Sequence, residues 1–195
     1  QGGGNCRGRV YRAPGADLHD TLEVPFLVAA RGGEMRITLP DGASIAVHIP
    51  QGAQDGQTLR LRGKGAPGHG GGPPGDALIT LSLLPHPVFR REGNDILVTL
   101  PVTIDEAILG GKVTAPTISG PVSVTIPERA SSGRVLRLRG RGVTPQGGKT
   151  PGDQLVELKI VAPPEIDEAL RAFLVEWRKN NAQAPRAEML KEAAS

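Results

Sequence analysis

The sequence predicts an all-β chain: two tandem small β-sandwich subdomains of the same fold, followed by one amphipathic helix. Three observations carry this reading. A phrase is written twice: residues 47–76 recur as residues 124–153 at an offset of 77, without a gap, and 16 of the 30 positions are identical. Two copies at that period are tandem subdomains, because solenoid repeats are shorter and more numerous. The 27 glycines and 18 prolines fall between short apolar, β-branched runs, as turns between strands do. After Pro163 and Pro164 the apolar period changes from two to that of a helix.

Taken in order, residues 1–16 lack periodicity and are Gly- and Arg-rich, the composition of a flexible linker end. The first subdomain, 17–86, reads as strands over 22–28, 35–39, 45–49, 58–62 and 77–84 with no helix. Asp41-Gly42 marks a hairpin between the second and third. Leu59-Arg60-Leu61-Arg62 alternates strictly, which puts leucines on one face and arginines on the other. Pro85-His86-Pro87 joins the copies. The second subdomain, 87–162, reads as strands over 96–104, 112–115, 122–126, 135–139 and 154–160, with one helical turn capped by Asp105. In the final helix, over 163–181, Ile166, Leu170, Phe173, Leu174 and Trp177 share one face. That stripe either packs on its own subdomain or serves self-association. Residues 182–195 read as a polar, mobile tail.

Composition narrows the function. The net charge is +3, milder than a strong nucleic-acid module carries. The single cysteine, Cys6, leaves no disulfide within one chain and no cysteine-rich zinc site, and fits a reducing compartment. No apolar run is long enough to span a bilayer as a helix. His19, His48, His69 and His86 have no metal-ligand spacing, and His48 falls on the solvent face of its strand. The Gly-rich stretch 68–75 lacks the Lys-Ser/Thr pair of a phosphate-binding loop. Without converging acid, base or nucleophile groups, the sequence reads as a binding module: no enzyme, no catalytic residue, no metal and no cofactor.

The repeated Val-x-Ile-Pro through Leu-Arg-Leu-Arg-Gly-x-Gly to Pro-Gly-Asp phrase, together with Gly15-Ala16-Asp17-Leu18 and the junction His86-Pro87-Val88-Phe89-Arg90-Arg91-Glu92-Gly93-Asn94-Asp95, resembles the substrate-binding region of DnaJ-type J-domain co-chaperones. The resemblance covers about residues 15–180. Four Cys-x-x-Cys-x-Gly-x-Gly motifs of the zinc-binding members are missing, so the chain is similar to the zinc-free class, including the bacterial curved-DNA-binding homologue. The His-Pro-Asp of a J domain is missing as well, since this chain has His86-Pro87-Val88. Where relatives carry an acidic helical turn, it has Phe26-Leu27-Val28-Ala29-Ala30, a stretch that could be groove or core.

The resemblance implies a cytoplasmic, possibly nucleoid-associated homodimer that binds unfolded or hydrophobic client segments and presents them to a DnaK-type chaperone. It implies a client groove at Leu22, Val24, Met35, Ile37, Leu39 and Phe89, and a dimer interface at Leu170, Phe173, Leu174 and Trp177. Alternation puts 22 with 24, and 35 with 37 and 39, on shared faces, and leaves open which face is outward. The alternative is duplex DNA, met by Arg7, Arg9, Arg12 and the pairs Arg60/Arg62 and Arg137/Arg139, with steep salt dependence.

Overall fold

The computed structural model describes residues 11–194, so Cys6, Arg7 and Arg9 lie outside the described residues. The chain forms two units, 11–160 and 161–194, and the first holds both copies. In the first copy, β1 (Leu18–Val24) leads through a short helix α1 (Phe26–Arg31) to β2 (Gly33–Thr38), β3 (Ser44–Ile49), β4 (Thr58–Leu61) and β5 (Ala77–Leu83). A three-residue strand β6 (Arg90–Glu92) turns into β7 (Asp95–Val102). Then follow α2 (Ile104–Leu109), β8 (Gly111–Ala115), β9 (Val122–Ile126), β10 (Val135–Leu138) and β11 (Gln154–Ile160).

Each copy packs a mixed sheet against a two-stranded ribbon. In the first, β1 runs parallel to β5 and β4 antiparallel to it, while β2 pairs with β3. In the second, β7, β11 and β10 repeat the sheet and β8 with β9 the ribbon. The correspondence is 78 residues at the start (Leu18 to Ile96) and 77 at the end (Ala77 to Gln154). The ribbon turn absorbs the difference. It spans 39–43 between Thr38 and Ser44 in the first copy, and in the second it tightens to Ile118-Ser119, closed by mutual Thr117 and Gly120 backbone bonds of 3.1 and 3.0 Å.

Alternation builds the cores. Val24, Ile37, Leu39, Val47, Ile49, Ile79 and Leu81 are buried together in the first copy. Leu100, Val102, Val124, Ile126, Val156 and Leu158 are their counterparts in the second. Each large aliphatic side chain so buried stabilises by about 1.5–3 kcal/mol. A third cluster forms where the copies meet: Phe89, Ile96, Val98, Ile118 and Val143 close over Ala30, with Phe26 and Leu27 against them.

Three expectations need correction. The first copy does contain a helix. Pro25 stops β1 at Val24, and the good helix formers Leu27, Ala29, Ala30 and Arg31 continue as α1 until Gly32, at φ 78°. So 22–28 is no strand, and the Phe26–Ala30 stretch is core: Ala29 faces the first copy's interior, Ala30 the junction. The turn in the second copy is capped by Thr103, not Asp105, in a reciprocal capping box with Glu106. The hairpin strand β6 was not anticipated.

In the second unit, α3 (Glu168–Asn180) is capped by Asp167, whose Oδ1 accepts from the Leu170 amide at 2.7 Å. Glu168 opens it and Arg178 and Lys179 close it, the order the helix dipole favours. Within the segment expected to be a tail, Ala187–Ala193 forms a further helix, α4.

Candidate functional site

The repeated phrase turns out to be a clamp. At the end of β4 the chain turns through Gly63, and Asp76, at the start of β5, ties the turn shut. Its carboxylate accepts from the Gly63 amide at 2.8 Å and from Arg60 at 2.5 Å, while its own amide donates to Asp17 at 2.7 Å. Asp153 repeats this with Gly140 at 2.9 Å, Arg137 at 2.8 Å and Asp95 at 2.7 Å. The Gly63 amide, then Arg60, holds the Asp76 carboxyl below its usual range, and the Gly140 amide, then Arg137, does the same for Asp153. Gly65 and Gly142 are glycine because a Cβ there would stand 2.5 Å from the backbone of Gly75 or Gly152. Arg60 and Arg137, half of the expected basic stripes, are thus engaged in ion pairs, while Arg62 and Arg139 are solvent-exposed.

Apolar surface is distributed unevenly. Of the six residues expected to line a groove, Val24, Ile37 and Leu39 are buried in the first core, so they form its interior and not an open wall. Phe89 is buried in the junction cluster, with its ring 4.9 Å from His86 and 6.3 Å from Phe26. The alternation that marked these positions marks an inward face equally well. Leu22 and Met35 remain half-exposed and pack on the rim of the first core, together with Val28 and Ile45. The strands carrying them each have a neighbour on one side only: β1 pairs with β5, and β2 with β3. Their other backbone edges are unpaired among the described strands. In the second copy, β6 adds to the equivalent edge of β7, opposite Asp95–Leu97.

At the junction, His86 Nδ1 accepts from the Val88 and Phe89 amides at 3.0 and 3.3 Å. His19, His48 and His69 are exposed. No cluster of three His, Cys, Asp or Glu side chains among the described residues is arranged to hold a metal. Nor is any described helix long and apolar enough to cross a membrane. On α3, Phe173, Leu174 and Trp177 are 61%, 43% and 41% exposed and Leu170 is half-buried, an amphipathic helix with an open apolar stripe.

Comparison with known proteins places this arrangement. The DnaJ C terminal domain family model matches residues 18–163. The chain is 43% identical over 152 residues to Chaperone protein DnaJ 1 of Streptomyces avermitilis, covering 77% of this chain and 38% of that protein. It is 42% identical over 178 residues to Chaperone protein DnaJ 2 of Thermus thermophilus, covering 91% and 59%. With the Curved DNA-binding protein of Coxiella burnetii it shares 35% over 193 residues, covering 92% and 61%. The chain thus spans between 38% and 61% of the length of these relatives. With two copies of one β module, a match across both and the terminal helix beyond them, the chain belongs to the DnaJ C-terminal domain family.

Proposed function

We propose that this chain is the polypeptide-binding part of a DnaJ-type co-chaperone, acting in the cytoplasm on unfolded clients that it presents to a DnaK-type chaperone. The observation that carries the reading is the first copy's half-exposed Leu22 and Met35 beside the unpaired edges of β1 and β2. An extended chain laid there gains main-chain hydrogen bonds along an edge and side-chain burial at the rim. Met35 lets the rim adapt to varied sequences. Nothing in this reading makes or breaks a bond. Val24, Ile37 and Leu39 support the rim from within, and Phe89 holds the copies together. The open stripe of α3, Leu170, Phe173, Leu174 and Trp177, pairs two chains, so that two weak sites act on one client with the advantage of effective concentration.

The test is suppression of aggregation of a denatured model client. Met35→Asp, at a half-exposed rim position, abolishes most of the suppression while the thermal midpoint stays within a few degrees. Phe173→Asp with Trp177→Ala gives a folded monomer with weaker capture, read by sedimentation. Undiminished suppression by Met35→Asp rejects the site.

A second reading, duplex DNA, draws on the Curved DNA-binding protein relatives and on exposed Arg62 and Arg139. It requires affinity for duplex that collapses with added salt and is indifferent to Met35→Asp.

A further inference from the structure

The two copies share a core pattern but not an outer sheet face. On the first copy the outward positions of the sheet include His19 on β1, Thr58 on β4 and Thr80 on β5, with the Thr58 and Thr80 hydroxyls 3.4 Å apart. That is an ordinary solvated face. The equivalent positions of the second copy are Leu97, Val135 and Glu157, and Leu97 stands directly opposite Leu155 on the neighbouring strand. Val135 is 53% exposed. The segment joining the copies passes over this face and brings Leu84, 39% exposed, and Val88, 45% exposed, to it. Together they enclose an open cleft of about 1080 Å³.

We infer that this cleft is a second seat for an apolar stretch of the same unfolded polypeptide, an inference that rests on the client-binding reading of the first copy. Three features select that occupant. The floor and walls are apolar and continuous with the junction cluster, since Phe26, Phe89 and Val98 also line the cleft. Its charges balance, Asp55 and Glu157 against Arg90 and Arg91, so it offers no field for a phosphate backbone or a strongly acidic peptide. Pro85, Pro87, Pro101 and Pro116 supply rigid walls without N–H donors. Recognition there runs through side-chain packing, unlike the strand edges of the first copy. A client bridging both sites is held by two weak contacts on one chain.

The repeat supplies a substitution its own fold already accepts: Leu97→His with Val135→Thr installs the first copy's residues. The 195-residue chain is titrated with reduced, carboxymethylated lactalbumin, an unfolded probe, and the affinity of the double variant is expected to fall at least about tenfold, because linked sites gain roughly 10²-fold or more. In the Met35→Asp chain, methyl resonances of Leu97, Val135 and Leu155 shift as the probe is added. Wild-type affinity in the double variant, with those methyls unmoved and binding lost in Met35→Asp, overturns the second seat and leaves the first standing. A wild-type chain that binds no probe overturns both.

Discussion

Set side by side, the two copies differ wherever they touch something other than their own core. The ribbon turn of the first, Pro40-Asp41-Gly42, is exposed, whereas that of the second puts Ile118 into the junction, where its carbonyl accepts from Arg31 Nε. Ala30 of α1 is buried at the junction, and its counterpart on α2, Ile108, is 56% exposed. Gly52, at φ 80°, sits where a Cβ would meet the Thr144 carbonyl at 2.4 Å, while the equivalent turn in the second copy carries Arg129 at φ 57° in open solvent. One module therefore tolerates opposite chemistries at the same backbone position, and the neighbour chooses between them. The lesson is that duplication preserves the inward alternation and frees every other face to specialise.

The largest expected effect breaks this comparison at its joint. Gly52→Ala places a Cβ against the Thr144 carbonyl on a left-handed backbone, and destabilises the chain by more than about 2 kcal/mol in urea denaturation. Arg129→Gly, relieving the same backbone conformation where nothing is near, raises stability by up to about 1 kcal/mol. Equal effects at the two positions would mean that the copies are not rigidly joined.

Next is Arg91. Its half-buried guanidinium donates to the carbonyls of Ala53 at 2.7 Å, Gly52 at 3.2 Å and Gly93 at 2.8 Å, and burial lowers its pKa. Arg91→Met leaves these acceptors without their donor and costs about 1–3 kcal/mol. Scattering in solution should then report a broader distribution of distances between the copies, with each core still folded.

The smallest effect concerns the paired clamps, which ought to respond alike. Both Asp76 and Asp153 have folded-state pKa values below the unfolded value of about 3.9. Their contribution is thus present above that value and is lost as pH falls through the folded one. Asp76→Asn and Asp153→Asn should each lower the thermal midpoint at pH 7, with the gap to the unsubstituted chain closing below about pH 4. A gap that persists unchanged at pH 2 would remove the carboxylate charge from the account.

Much of this architecture was legible before any coordinates. The twofold phrase, the Leu-Arg alternation and the switch of period after Pro164 each reflect short-range rules, in which a residue's own backbone preference and its neighbours two or four positions away suffice. Helix α1 was not legible, since six residues beginning Phe26-Leu27-Val28 are too short to separate a helical from an extended period. Strand β6 was missed for the same reason: three residues, Arg90–Glu92, carry no period at all.

The candidate site divides along a different line. Which residues share a face follows from covalent geometry, so Leu22 with Val24 and Met35 with Ile37 could be paired from the chain alone. Which of each pair meets water depends on where the sheets end and what packs across them. Those contacts join residues dozens of positions apart: Val24 is sealed in a core that also holds Leu81, while Leu22 stays at its rim. Alternation is a local property and burial a collective one, so the first was readable in the order of residues and the second waited on the assembled cores.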